Sequence, residues 1–280
     1  AANASGKPIL SIDLPSGVNG TTGEVANHAI MASLTVALGC YKIGCFLRQG
    51  YNQVGKLQLQ DFGLPQTARE QMRPSAFVPD WQSLQLPAIQ RTQHKYQRGF
   101  VVGFGGSSAL KGAMKLSGSA ALHSGAGIVK LFTLEEIGPV ADELISQLWN
   151  PQSWREAIAK ASAVFIGPGL GRSHSAREWL MQHLSAIEKP CVIDADALYF
   201  LSALPQWPKH SLLTPHRGEM LYLLRETKTD LDEEAFLQRC QALVEAKQAI
   251  LILKGAPTFI LSPQALPIII PRGDPGMATA

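Results

Sequence analysis

Charge is scarce in this chain: 17% of its residues are Asp, Glu, Lys or Arg, and the formal net charge is +3. With no basic stripe interleaved with aromatics, that excludes nucleic acid as a partner and leaves small molecules. Cysteine is scarce too. Cys40, Cys45, Cys191 and Cys240 form no CxxC pair and no dense, even framework, which argues against a zinc knuckle and a secreted disulfide scaffold and predicts free buried thiols. No apolar run approaches the ~20 residues that span a bilayer, and the start Ala1-Ala2-Asn3-Ala4-Ser5-Gly6-Lys7 carries no hydrophobic signal core. No membrane association and a cytoplasmic address are expected. An initiating Met is missing as well, and Ala278-Thr279-Ala280 follows directly on a Gly/Pro turn, so both ends read as those of a fragment.

What is present is apolar: 46% of 280 residues, enough for a large core. Strands are expected at 9–12, 32–38 and 54–59, too few to close a domain, so they must pack on something else. From Gly63 to Arg91 the pattern lapses, with Pro65, Pro74, Pro79 and Pro87 among Gln and Ser, and a linker is expected. Strand and helix patterns then alternate. Strands are expected at 100–104, 127–133, 162–166, 191–193, 211–213, 249–253, 258–261 and 267–270, and helices at 109–123, 176–187, 219–224 and 233–246. Near-continuous apolar strands in βαβ alternation predict an α/β fold, a parallel sheet with helices on both faces and closing antiparallel strands at one edge.

Ligands of such sheets bind outside the carboxyl ends of the strands, and the unusual residues cluster there. Gly103-Phe104-Gly105-Gly106-Ser107-Ser108 lies between a strand and a helix; a phosphate-binding turn and a plain tight turn both fit. The helix that follows is crowded with small residues, which points first to close packing. Gly167-Pro168-Gly169-Leu170-Gly171 reads as a binding floor in preference to an ordinary turn. Asp194 and Asp196 are two apart, so in extended backbone they face one way, a pairing that suits Mg²⁺ held through water. Asp196 reads equally as the cap of a helix starting at Ala197, which leaves Asp194 as the better metal candidate. His216 has its direction set by Pro215; structural and functional readings stand level. Lys254 ends an apolar strand, where a cation is costly without an anion, and a nucleotide phosphate is the favoured partner over a snorkelling surface role.

As a set, these residues resemble the bifunctional NAD(P)H-hydrate repair enzymes, an epimerase joined to a ribokinase-like, ADP-dependent dehydratase. The likeness rests on His94-Lys95, Gly112-Ala113, the run Ala120 to Gly127, Gly167 to Gly171, Ile193 to Leu198, Leu213 to Glu219 and Leu253 to Ala256. It implies the C-terminal part of a Rossmann-like epimerase domain over 1–64, a linker at 65–90 and a ribokinase-like, mostly parallel sheet with helices on both faces over 91–280, a dehydratase domain lacking its C-terminal end. It also implies that Ala113, Gly169 and His216 touch the hydrated cofactor (NADHX or NADPHX). Lys254, Gly255, Ala256, Pro257 and Thr258 would surround ADP, whose phosphoryl group is passed to the hydrate's hydroxyl before elimination.

In the first 60 residues the likeness runs through Ser11 to Gly17, Leu34-Thr35-Val36 and Lys42. It implies that Asp13 contacts the hydrate at its epimerisable carbon and that Ser16 helps ligate K⁺; taken alone, Asp13 is equally a loop carboxylate and Ser16 a turn residue. The epimerase's phosphate loop is expected before Ala1. The dehydratase's catalytic Asp is expected beyond Ala280, after the segment Gly273 to Ala278. Mg²⁺, K⁺ and ADP are the expected cofactors, and a homo-oligomer is expected. Two rivals remain: another ribokinase-like small-molecule kinase, and a non-catalytic binding fragment.

Overall fold

The computed structural model describes residues 1–80, 82, 84–88, 90–226 and 232–273. The segment Asp274 to Ala278 therefore lies outside the described residues. β1 (Leu10–Ile12), β2 (Leu34–Leu38) and β3 (Lys56–Gln60) form a three-stranded parallel sheet in that order, with the single helical turn α1 (Gly50–Gln53) before β3. This small sheet has a partner to pack on: one continuous buried cluster runs from Cys45, Phe46, Leu47 and Val54 to Phe259 and Leu261 of the second sheet.

The connection between the sheets is not bare linker. It contains α2 (Gln66–Gln71), and Phe77 docks on the far edge of the large sheet, donating its N–H to the Pro267 carbonyl at 2.8 Å and accepting the Ile269 N–H at 2.8 Å. A proline-rich stretch with little apolar period gives no sign of this, because the docking uses backbone groups that every residue carries. It also covers an edge that is otherwise open to strand pairing.

The large sheet is built from β4 (Phe100–Phe104), α3 (Lys111–His123), β5 (Ile128–Thr133), β6 (Leu144–Leu148), α4 (Pro151–Lys160), β7 (Ala163–Ile166), α5 (His174–His183), β8 (Cys191–Ile193), α6 (Asp196–Leu201), β9 (Ser211–Leu213), α7 (Arg217–Leu223), α8 (Glu233–Lys247), β10 (Ile250–Leu253), β11 (Thr258–Leu261) and β12 (Ile268–Ile270). Among the described residues its order is β12-β11-β10-β9-β8-β7-β4-β5-β6. Pairing is parallel from β6 to β10 and antiparallel for β10–β11 and β11–β12, as the alternation predicts.

The chain moves outward from β4 through β5 to β6, then returns to place β7 on the other side of β4. The strand order thus reverses between β4 and β7, and at such a switch point the carboxyl ends open a crevice. β5 serves both faces: Val129 and Leu131 pack with Met114 of α3, while Phe132 meets Trp154 of α4 edge-on. On that second face Phe104 stacks on Trp179 of α5, with Trp154 edge-on to both.

Candidate functional site at the strand ends

Two loops meet at the switch point. The turn after β4 spends its amides internally: Gly105 N–H donates to Phe132, Gly106 N–H to Pro168 at 2.9 Å, and Ser108 N–H to the Glu135 carboxylate at 2.8 Å. With those donors taken by protein acceptors, the tight-turn reading prevails over a phosphate nest.

The glycines of the loop after β7 are likewise explained from within. Gly167 has φ 119°, and a Cβ there would lie 1.8 Å from the Asp194 carbonyl oxygen. Gly169 has φ 62°, and its Cβ would lie 2.1 Å from the carbonyl oxygen of Leu110. Only glycine permits both the positive φ and the approach. The loop therefore clamps the end of β8 on one side and the entry to α3, where Ala113 is exposed in the first turn, on the other.

Asp194 and Asp196 do not face one way. Ala195 between them has φ 50° and ψ −128°, far from extended, so the two-residue alternation fails and the carboxylates diverge. Asp194 Oδ1 accepts from Lys254 Nζ at 2.9 Å. Asp196 occupies the first position of α6, where an acidic group suits the helix dipole, and accepts from the Gly171 N–H at 2.9 Å and from Arg172 Nε at 3.2 Å. A backbone conformation of this kind in a non-glycine residue costs on the order of 1–3 kcal/mol and persists only where its surroundings fix it.

His216 caps α7. Its Nδ1 accepts from the N–H groups of Gly218 at 3.0 Å and Glu219 at 3.3 Å, and the buried Glu219 carboxylate returns a bond to the His216 N–H at 2.9 Å. An acceptor Nδ1 carries no proton, so the ring's proton sits on Nε2, on a side chain that is 59% exposed. The structural reading of His216 is thus visible in its cap: one nitrogen holds the helix, and the other lies 3.6 Å from the Glu219 carboxylate on the exposed part of the ring. Beside it, the Lys254 N–H donates to the Pro215 carbonyl at 2.8 Å, and the Thr258 hydroxyl closes the following loop on Gly255 at 3.0 Å. Gly169, Asp194, His216 and Lys254 thus follow β7, β8, β9 and β10, four neighbours in the sheet.

Sequence reasoning passed over Arg172. Its guanidinium lies 3.4 Å above the Tyr199 ring, and Tyr199 packs against Tyr222 at 4.6 Å. Partial desolvation opposes its charge, but Tyr199 and Asp196 outweigh it and hold the guanidinium above its ordinary value. An Arg after three glycines carries no periodic signal, and the contact that distinguishes it comes from 27 residues further along the chain.

In the small sheet, Asp13 ends β1 with φ 67° and is ion-paired to Lys42. The Lys42 hydrogen bond, ahead of the opposing desolvation and helped by the Leu38 N–H at 3.0 Å, holds this carboxyl below the usual range. Ser16 is exposed and its carbonyl accepts the Ile30 N–H at 2.9 Å. All four cysteines are free; burial pushes Cys191 and Cys240 up to about 12, which suits inert core thiols. Among the described residues no three His, Cys, Asp or Glu converge to hold a metal, and no helix is long and apolar enough to cross a membrane. A cavity of about 520 Å³ lies elsewhere, at the seam between the sheets, with Leu47 and Arg48 on one wall and Leu237 and Phe259 on the other.

Residues 101–280 match the NAD(P)H-hydrate dehydratase family, and residues 1–44 match the YjeF-related protein N-terminus. The chain belongs to the NAD(P)H-hydrate dehydratase family. Relatives in that family include the bifunctional NAD(P)H-hydrate repair enzymes of Vibrio cholerae, 34% identical over 99% of this chain and 57% of the relative, and of Escherichia coli, 32% identical over 99% and 55%. The chain thus spans a little over half the length of these relatives. Among solved structures, the ADP/ATP-dependent NAD(P)H-hydrate dehydratase of Bacillus subtilis, co-crystallised with ATP and Mg²⁺, superposes with a TM-score of 0.54 at 26% identity over 70% of this chain and 72% of that one. A ribokinase-like protein of Enterococcus faecalis reaches 0.60 at 25% identity over 69% and 70%. The ribokinase-like fold of the dehydratase family is thereby established for the large sheet.

Proposed function

We propose that this chain carries out the dehydratase half of nicotinamide nucleotide repair, the ADP-dependent return of the S-hydrate of NADH or NADPH to the dihydronicotinamide. Residues 1–64 are assigned to the C-terminal part of an epimerase domain that interconverts the R and S hydrates, residues 65–90 to a linker and 91–280 to the dehydratase. The observation that carries this reading is the convergence of Gly169, Asp194, His216 and Lys254 on four adjacent strand ends beside the switch point.

In this reading the hydrate's nicotinamide rests between Ala113, Gly169 and His216, with His216 Nε2 donating to it. Lys254 to Thr258 surround ADP, with the Lys254 ammonium drawn from Asp194 toward phosphate. The hydrate's hydroxyl attacks the terminal phosphorus of ADP and the bond to the AMP oxygen breaks. The carbon–oxygen bond of the new phosphate ester then breaks, releasing inorganic phosphate, while the neighbouring carbon gives its proton to the base expected beyond Ala280, restoring the ring double bond.

Asp194 fits a role in holding Mg²⁺ through water: Lys254 engages one of its oxygens, and such an ion typically takes one or two carboxylates plus the substrate phosphates. Mg²⁺ there would spread the negative charge of the transferring phosphate. Ser16 does not by itself fit a K⁺ cage, because its carbonyl already serves the Ile30 N–H, and no step is assigned to that ion. Asp13 is the group assigned to the hydrate in the epimerase part. Incubation of the protein, extended past Ala280 through the catalytic Asp expected there, with ADP and hydrated NADPH should restore dihydronicotinamide absorbance and release AMP and phosphate in equal amounts. A stable phosphate ester as the end product would point instead to a small-molecule kinase.

A further inference from the structure

Arg172 is held in a way that a purely structural ion pair does not need. Asp196 contributes one oxygen to the Gly171 N–H at 2.9 Å and the other to Arg172 Nε at 3.2 Å. The carboxylate therefore meets the guanidinium from its side, not across the two-pronged end that binds a carboxylate or phosphate bidentately. The Tyr199 ring, 3.4 Å below, fixes the plane, and Tyr222 supports Tyr199 from α7. The side chain nevertheless remains 56% exposed. A planar cation has thus been oriented in advance, which lowers the ordering cost of binding an anion.

Arg172 is three residues from Gly169, so their Cα atoms lie within about 10 Å of each other on chain length alone. In a nicotinamide dinucleotide, a ribose separates the ring from the first phosphate. We propose that Arg172 forms a subsite for the pyrophosphate of the dinucleotide, gripping the phosphate next to the nicotinamide ribose. This rests on the placement of the nicotinamide beside Gly169 and His216 given above, and adds the anchor for the rest of the substrate.

The test compares two ligands with the same ring and ribose, reduced nicotinamide mononucleotide and reduced nicotinamide riboside, titrated calorimetrically into the full chain. Arg172→Gln should weaken the mononucleotide about 10- to 100-fold, the range for a charged hydrogen bond, and leave the riboside within about twofold. Arg172→Lys, which keeps the charge and loses the stacked fork, should fall between. Equal weakening of both ligands would mean that Arg172 only holds the loop through Asp196, and no weakening of either would remove it from the site; each result overturns the subsite. With whole dinucleotides, equal losses for NADH and NADPH support the pyrophosphate, whereas a loss confined to NADPH overturns that assignment. Wild-type chain that binds neither ligand would contradict the functional reading itself, a result distinct from failure of the Arg172 variants alone.

Discussion

Each sheet ends one of its parallel strands on an Asp paired with a Lys, and the two pairs are built to different ends. Asp13 and Lys42 share one turn: the Leu38 N–H donates to Asp13 and the Leu38 carbonyl accepts from Lys42 at 3.2 Å, so both charges answer to the same backbone. Asp194 and Lys254 are 60 residues apart and reach across the end of β9, tying the loops of β8 and β10 on either side of His216. The first pair gathers one turn around the carboxylate assigned above to the hydrate. The second joins neighbouring strand ends through an exposed contact of small intrinsic strength, which is what a site needs if an incoming phosphate is to displace the carboxylate.

The sharpest way to break this contrast is Lys254→Ala. Losing a phosphate contact of this kind typically costs a few kcal/mol, so ADP affinity should fall about 100-fold. Thermal stability should move by less than about 1 kcal/mol, because the Lys254 side chain is 45% exposed. A large stability loss with unchanged ADP binding would make this pair structural.

His216 separates the same two roles within one residue. His216→Ala removes a cap and should cost about 1 kcal/mol. His216→Asn should recover most of that stability but not hydrate binding, since the short amide restores the cap without an Nε2 donor. Recovery of both would leave the imidazole with no part beyond the helix end.

Ala195→Gly tests how Asp194 is aimed. Relief of the φ 50°, ψ −128° backbone should stabilise the fold by about 1 kcal/mol, after the entropy that glycine adds to the unfolded chain. Chemical denaturation would show it as a raised midpoint.

The smallest effect belongs to Asp13. Its carboxyl is held below its unfolded value, so the pair stabilises the fold above the ordinary carboxylate range and loses that contribution as pH falls through the folded value. Screening at a 41% exposed side chain keeps the difference under about 1 kcal/mol. Lys42→Met should therefore flatten the acid limb of the stability profile.

Much of the fold was legible in the sequence because buried strands are short apolar runs; β4, β5 and β7 through β10 in the parallel part and β11 and β12 at the antiparallel edge all read this way. β6 and α4 escaped notice. Leu144–Leu148 is an edge strand with an exposed, mixed pattern, and the signal for α4 was its cap: Asn150 accepts from the Ser153 N–H at 2.8 Å, with Pro151 at the first helical position. The divergence of Asp194 and Asp196 was hidden because the two-residue rule assumes extended backbone, and no sequence pattern declares a positive φ at an alanine. The glycines of 167–171 were visible, but not that the close neighbours of Gly167 and Gly169 are the chain's own carbonyls, which only the packing of Leu110 and Asp194 reveals.

The most direct test is a thermal titration of wild-type and Lys254→Ala chains with ADP and with hydrated NADPH. The account requires both ligands to raise the wild-type midpoint and the substitution to abolish the ADP shift while retaining most of the hydrate shift. If neither ligand stabilises the wild type, or ADP stabilises both chains alike, the strand ends of β7 to β10 are not the nucleotide site proposed here.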